Sequence, residues 1–257
     1  MVSRSMEEKD YYAQRIRELI RVSFARDVVT FSDFLTLQER EEVPFLAGKK
    51  TGVSVATFGG YEGAERVMAA FYPQGMEEPR EEEYPLACLC IAAKNPKFAG
   101  DLIHRDYLGA LLHLGVEREV IGDILVGEHK AYLFCRKNMA SFFTANLDRI
   151  AHTAVVCTEA EGPEEIYLPK LSEVVGTVSS LRLDSLLSLG FQKSRSSLSG
   201  AFSSGLVFVN GKECQSPSYV PKEGDIISLR GSGRFTLLEE GRLTKKGRLS
   251  VKLGKYV

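Results

Sequence analysis

The sequence lacks several features that mark specialised classes of protein. No uncharged apolar run reaches the roughly eighteen residues of a membrane-spanning helix, and the longest candidate is Pro85 to Ala93. The start, Met1 to Asp10, mixes basic and acidic residues without an apolar segment, so we expect no secretory signal and a cytoplasmic location. The few cysteines are odd in number and scattered, without a CxxC pair, which favours buried reduced thiols over disulfides or zinc. They are Cys88, Cys90, Cys135, Cys157 and Cys214.

What the sequence does contain is a balanced total charge that hides a strong asymmetry. The 257 residues are 44% hydrophobic and 26% charged, which is typical of globular chains of two or three domains. Residues 1–180 carry a net charge of −8, with 20 Lys and Arg against 28 Asp and Glu. Residues 181–257 carry a net charge of +7, with 13 against 6. A basic module on an acidic body favours a polyanionic partner, nucleic acid above all.

The first 78 residues are predicted to form a mixed N-terminal α+β domain. Apolar residues at helical spacing predict an amphipathic helix over about 6–26, and Thr36 with Glu39 has the form of a capping box that opens a second helix. A short strand is expected at Val53 to Thr57. After the Gly59-Gly60 pair, Glu62 to Phe71 is predicted to be helical.

Residues 79–160 are predicted to form a βαββαβ domain, the order of ferredoxin-like sheets and of RNA-recognition modules. The strands are expected near residues 86–92, 123–126, 131–135 and 153–158, and the helices near 107–114 and 138–150. An RNA-recognition module would carry a Lys/Arg-Gly-aromatic pattern on its third strand, and the glycine is missing here. We therefore expect Tyr132 and Phe134 to be core residues rather than a stacking platform.

Residues 161–179, rich in acid and proline, are predicted to be a linker before a domain over 180–257. Two short helices are expected, one after Ser180 and one capped by Ser194, and Asn210-Gly211 is a strong hairpin signal. The combination of helix starts, turns and cations predicts a small α+β module with a basic surface for a phosphate backbone. The candidate RNA-binding residues are Arg182, Lys193, Ser194, Arg195, Asn210, Lys212, Arg230 and Arg234.

The C-terminal motifs resemble, in order and spacing, the S4 RNA-binding domain, which has an αL-like fold. They are Arg182-Leu183-Asp184, Ser194-Arg195-Ser196, Gly205-Leu-Val-Phe-Val-Asn210-Gly211 and Gly224-Asp225. Upstream segments extend the resemblance over nearly the whole chain, to the YlmH-type S4-domain proteins of Gram-positive bacteria. They are Phe58-Gly59-Gly60-Tyr61-Glu62, His104-Arg105-Asp106-Tyr107-Leu108-Gly109-Ala110 and Ile121-Gly122-Asp123-Ile124.

The resemblance implies a non-catalytic RNA-binding factor of the large ribosomal subunit, acting in the quality-control pathway that tails stalled nascent chains. Its implied partners are ribosomal RNA of that subunit and tRNA or peptidyl-tRNA, with no DNA, no membrane and no cofactor. Two other hypotheses stay open: an RNA-modifying enzyme such as a pseudouridine synthase, and a protein-interaction scaffold. Against an enzyme, Arg182-Leu183-Asp184 is followed by Ser185-Leu186-Leu187, unlike a pseudouridine synthase, and the histidines and cysteines lack zinc spacing, so no metal is expected.

Overall fold

The computed structural model describes residues 6–48, 51–163, 171–244 and 247–256. The chain forms two units, Met1–Tyr167 and Leu168–Val257, called the N-terminal and C-terminal units below. Both combine helices with antiparallel sheets, so the predicted α+β class is confirmed.

The first layer of the N-terminal unit is a three-stranded sheet with two helices on one face. Its elements are α1 (Met6–Arg26), β1 (Thr30–Leu35), α2 (Leu37–Ala47), β2 (Val53–Phe58) and β3 (Val67–Pro73), with strand order β1-β3-β2. The predicted capping box is present, because the Thr36 side chain accepts from the Glu39 amide and the Glu39 carboxylate accepts from the Thr36 amide at 2.7 Å. Apolar side chains of α1 and α2, among them Ile16 and Val43, pack on Phe71 of β3.

The helix predicted over Glu62 to Phe71 is wrong. Residues 67–73 form β3, the central strand of the sheet, and every residue of it is buried. A strand covered on both faces is a continuous apolar run, and periodicity alone does not separate such a run from a buried helix.

The second layer of the N-terminal unit has the predicted βαββαβ order. Its elements are β4 (Leu86–Ala93), α3 (His104–His113), β5 (Ile121–Val126), β6 (Lys130–Arg136), α4 (Ala140–Asn146), β7 (Arg149–Ile150) and β8 (Thr153–Ala160). The strand order β5-β6-β4-β8-β7 is the ferredoxin-like arrangement with one short added strand. Tyr107 and Leu111 of α3 and Phe143 of α4 pack on one face of this sheet.

The other face of this second sheet packs on the first sheet. Phe34 and Met68 from the first layer share a core with Leu125, Tyr132 and Phe134 from the second. The boundary predicted near residue 78 thus falls between two sheets that share a core inside one unit. The division into domains 1–78 and 79–160 stays a prediction.

The C-terminal unit is a six-stranded antiparallel sheet with two helices on one face. Its elements are β9 (Leu171–Val178), α5 (Leu183–Phe191), α6 (Arg195–Ser203), β10 (Val207–Val209), β11 (Lys212–Glu213), β12 (Ile226–Leu229), β13 (Gly233–Leu243) and β14 (Leu249–Tyr256). The strand order is β11-β10-β12-β13-β14-β9. Leu186 and Leu187 of α5 and Phe202 of α6 share the core with Phe235 and Leu253 of the sheet.

The linker predicted over residues 161–179 is too long at its C-terminal end. Residues 171–178 form β9, which pairs with β14 through eight residue pairs. Most side chains of β9 are exposed, since one of its faces is open, so its composition is that of a loop. Residues 164–170 of the predicted linker lie outside the described residues.

Candidate nucleic-acid interface

The start of α6 is built as the sequence predicts. Ser194 is the N-cap, and its hydroxyl accepts a hydrogen bond from the Ser197 amide at 3.2 Å. Lys193 and Arg195 flank this cap, and both are exposed. The positive end of the helix dipole and two cations therefore meet at one place, which suits an anion such as a phosphate.

Two arginines are held around one carboxylate beside this helix start. Arg182 makes a two-point bond to Asp184, from Nε to Oδ1 at 3.1 Å and from Nη2 to Oδ2 at 3.2 Å. Arg195 donates to the hydroxyl of Ser185, the next residue in α5. Burial of Asp184 acts to raise the pKa of its carboxyl, but the bonds from Arg182 and the charges of Arg182 and Arg195 outweigh it, so this pKa lies below its usual value.

A further contact ties the helix start to the turn between β12 and β13. Lys193 Nζ donates to Ser232 Oγ at 2.7 Å, and Ser232 lies between Arg230 and Arg234. These contacts hold three candidate cations beside the cap Ser194 and bring the turn that carries Arg230 and Arg234 next to it. We call the three cations the basic surface: Arg182, Lys193 and Arg195.

The remaining two candidates lie at the other end of β10. The Arg230 amide donates to the carbonyl of Leu206, which directly precedes β10. Asn210 directly follows β10, and its amide donates to the carbonyl of Ile226. Asn210 has a φ of +48°, as the predicted tight turn requires. Its side chain donates to Asp225 at 2.9 Å and accepts from the Ile226 amide at 2.9 Å, so Asn210 fastens the turn to the next strand. Lys212 is exposed on the short strand β11.

Sequence reasoning missed the groups that hold these cations in place. Asp184 stands out in the sequence only as part of the Arg182-Leu183-Asp184 motif, and it holds Arg182 two residues away. Ser185 and Ser232 are ordinary polar residues in the sequence, and they hold Arg195 and Lys193 only through contacts between elements. It also missed that two arginines lie on aromatic rings: the Arg230 guanidinium is 4.6 Å from the centre of the Phe208 ring, and that of Arg234 is 4.2 Å from the centre of the Tyr256 ring. The alternation Val207-Phe208-Val209 is the one signal that places Phe208 on the opposite face from its buried neighbours.

The corresponding surface of the second layer in the N-terminal unit is closed. Tyr132 and Phe134 are each 1% exposed, so their assignment to the core is confirmed. Tyr61 stacks on Phe134 with ring centres 5.2 Å apart, and a β-carbon at Gly60 would overlap the same ring. RNA-recognition modules stack bases on aromatic residues of these strands. Here that position is occupied by the chain itself.

Asp123 fastens the loop that covers Phe134. Its carboxylate accepts from the Tyr61 hydroxyl at 2.9 Å and from the amides of Glu65 and Arg66 at 2.7 and 3.2 Å. A β-carbon at Gly122 would lie 2.7 Å from the Phe34 ring, so the neighbouring glycine allows the close approach. The Phe58–Glu62 and Ile121–Ile124 segments, which carry part of the family resemblance, are thus in contact with each other through Asp123.

The cysteines are largely buried, as expected. Burial raises the pKa of Cys88 and of Cys135 to about 12 and that of Cys157 to about 11. Cys90 and Cys214 are partly exposed. Among the described residues, no three His, Cys, Asp or Glu side chains converge in a way that could hold a metal ion. Nor does any helix in the described part of the chain have the length and apolar character to cross a membrane.

Two parts of the chain match known protein families. Residues 79–164 match the family described as "Putative RNA-binding domain in YlmH", and residues 181–227 match the S4 domain. The chain is 33% identical over 225 residues to the "Ribosome-associated protein quality control protein P2" of Bacillus subtilis, covering 86% of this chain and 84% of that protein.

A solved structure shares the fold of part of the chain. The "Cell division protein ylmH from Streptococcus pneumoniae" aligns with a TM-score of 0.51 at 21% identity, covering 62% of this chain and 94% of that one. The sequence relative and the two domain matches show that the chain belongs to the family of YlmH-type S4-domain RNA-binding proteins.

Proposed function

We propose that this protein is a non-catalytic RNA-binding factor that binds structured RNA of the large ribosomal subunit through its C-terminal unit. The observation that carries the proposal is the basic surface, three cations held around the N-terminus of α6: Arg182 by Asp184, Lys193 by Ser232 and Arg195 by Ser185. Phosphate contacts from such a surface fix position on an RNA without reading its sequence. The net charge of +7 over residues 181–257 gives this unit the sign that RNA requires.

The ribosome enters through the relative from Bacillus subtilis, whose name attaches it to ribosome-associated quality control. We propose the same setting here, in the cytoplasm, with ribosomal RNA and tRNA or peptidyl-tRNA as the partners. The excess of acid over residues 1–180 favours an orientation in which the N-terminal unit faces protein or solvent rather than phosphate.

The chemistry of Asp184 supports a role without catalysis. In the pseudouridine-synthase hypothesis, this aspartate would be the catalytic group. Its carboxylate is instead held by Arg182 at two points, and its amide donates to the carbonyl of Pro217 at 3.1 Å. Detection of base modification in RNA incubated with the purified protein, lost in Asp184→Asn with the fold retained, would overturn this part of the proposal.

The central test reverses one charge of the basic surface. Arg195→Glu in the full chain should weaken binding to ribosomal RNA and lower the salt dependence, since each phosphate contact contributes about 0.7 to 0.9 to the slope of log affinity against log salt. Affinity is measured by filter binding at several salt concentrations. Arg40→Glu makes the same charge change on the exposed surface of α2 and is the matched control. Equal affinities and slopes for the two variants would remove the basic surface from the site.

A second measurement addresses the ribosome itself. Tagged full-length protein should sediment with large subunits in a sucrose gradient, and high salt should release it. The triple variant Arg182→Glu, Lys193→Glu, Arg195→Glu should stay near the top of the gradient. Sedimentation of this variant with large subunits as strongly as the original chain would show that another surface is the anchor.

A further inference from the structure

The sheet of the C-terminal unit has a second face, opposite the helices, that the basic surface does not include. Val207, Val209, Leu229, Phe235 and Leu253 point toward the helices and are buried. Their neighbours along each strand point the other way, because successive side chains alternate between the faces of a sheet. We call this second surface the outer face.

A row of residues crosses the outer face from strand to strand. The strand registers pair Phe208 with Ser228, Ser228 with Arg234, and Tyr256 with Leu171. Because Phe235 pairs with Lys255, Arg234 lies opposite Tyr256 and completes the row. Phe208 and Tyr256 are three strand spacings apart, about 14 Å at the usual distance between strands.

Each aromatic ring of this row carries an arginine. The Arg230 guanidinium lies over Phe208 and that of Arg234 over Tyr256, at 4.6 and 4.2 Å from the ring centres. A guanidinium held on a ring is a planar, positively charged surface that stacks on nucleobases and also reaches phosphates. Aromatic side chains interleaved with cations are the composition of surfaces that bind unpaired nucleic acid.

Apolar side chains extend the row on the same face. Leu171 and Leu238 lie over Gly254, where a β-carbon would come within 2.9 and 3.1 Å of them, and they are 37% and 38% exposed. Val175, on the same strand as Leu171, is 68% exposed. A stacked base needs an apolar surface around its ring and a positive charge near its phosphate. The outer face offers both.

We propose that the outer face is a stacking platform for unpaired RNA bases, with one position at Phe208 and Arg230 and another at Tyr256 and Arg234. The proposal rests on the proposed function, because it assumes that the unit binds RNA. It deepens that function by naming the class of RNA: a segment with unstacked bases next to the structured region held by the basic surface. The helix start would bind backbone phosphates and the outer face would bind bases.

The absence of tryptophan from the chain makes a direct test possible. In Phe208→Trp the new side chain is the only tryptophan, and binding of a base at this position should quench its fluorescence. A short single-stranded oligoadenylate is titrated into the full-length variant, and we expect saturable quenching. Phe45→Trp, at a side chain that is 86% exposed on α2, is the matched control and should show none. Equal responses of the two variants would overturn the platform.

Affinities give an independent measurement. Phe208→Leu and Tyr256→Leu keep an apolar side chain but remove the ring, and each should weaken oligoadenylate binding about fivefold or more, the range of one base stacked on one aromatic residue. Tyr256→Phe keeps the ring and should bind as the original chain does. A duplex without unpaired bases should be bound equally by all of these variants.

The failure of the platform and the failure of the proposed function give different results. If both leucine variants bind the oligoadenylate as tightly as the original chain while Arg195→Glu weakens binding, the platform is wrong and the basic surface stands; the row would then serve a protein partner. If the original chain binds neither the oligoadenylate nor ribosomal RNA, the proposed function fails and the platform fails with it.

Discussion

The two units each contain an antiparallel sheet with two helices on one face, and they differ in what happens to the other face. In the second layer of the N-terminal unit, the free face is covered by another sheet, and Tyr132 and Phe134 are 1% exposed. In the C-terminal unit, the corresponding face carries Phe208 and Tyr256 under arginines, next to apolar side chains that are more than a third exposed. An aromatic residue on a sheet therefore packs in a core in one unit and supports a surface arginine in the other.

Strand order alone does not locate an RNA site. The second layer of the N-terminal unit has the topology of an RNA-recognition module, and its stacking positions are used by the chain itself. Any contact between residues 79–164 and RNA must therefore use surfaces other than these two rings.

The largest expected effect comes from removing a ring in each unit. Phe134→Ala should lower the free energy of unfolding of the N-terminal unit by about 3–5 kcal/mol, because it leaves a cavity between two sheets. Phe208→Ala should lower the free energy of unfolding of the C-terminal unit by only about 1 kcal/mol. Its ring is partly exposed, and its cation–π contact with Arg230 contributes about that amount of free energy. Urea denaturation followed by circular dichroism measures both. Equal losses would contradict the distinction between a ring that packs in a core and a ring that supports a surface arginine.

A smaller effect is expected from closing the space over Phe134. Gly60→Ala adds a β-carbon that overlaps the Phe134 ring and also strains a backbone with a φ of +100°, whereas Gly63→Ala, with a φ of +86°, meets no atom within 4 Å. Backbone strain alone should cost about 1–2 kcal/mol at either position. The overlap should add about 1–3 kcal/mol at Gly60 only. The difference in urea midpoint between the two variants isolates the close approach, and its absence would show that the loop lifts from the sheet without cost.

The smallest effect concerns the charge that organises the basic surface. The pKa of Asp184 is lowered in the folded chain, so its carboxylate stabilises the fold above the usual pKa of aspartate, and that stabilisation is lost as the pH falls through the lowered value. The original chain should therefore be more stable than Asp184→Asn at pH 7, by less than about 1 kcal/mol for a partly exposed pair. The gap should close on acidification. Thermal melts from neutral pH into the acid range provide the measurement, and a gap that is constant with pH would contradict the assignment.

Much of the architecture follows from local patterns in the sequence. The capping box at Thr36, the cap at Ser194 and the turn at Asn210 are all set by residues close together in the chain, and each is present as predicted. The alternation and helical spacing over residues 86–158 likewise give the βαββαβ order.

The failures share a different cause. Strand β3 resembled a helix because both of its faces are buried, and β9 resembled a linker because one of its faces is open. In each case the deciding contacts come from strands far away in the sequence. The same holds for the site: the sequence supplies the cations, but Ser185 and Ser232 bind Arg195 and Lys193 only after α5, α6 and the turn after β12 are assembled.

The pairing of β9 with β14 has a consequence for the limits of the C-terminal domain. Residues 181–227 match the S4 domain, yet the sheet is completed by a strand that precedes this segment. A protein cut at residue 180 would lose eight residue pairs along β14 and leave that strand as a bare edge, an unpaired row of amides and carbonyls that invites intermolecular association. It would also uncover Leu189, which packs against the backbone at Gly176. The smallest piece of this chain expected to remain monomeric and folded while carrying the basic surface therefore begins before Leu171.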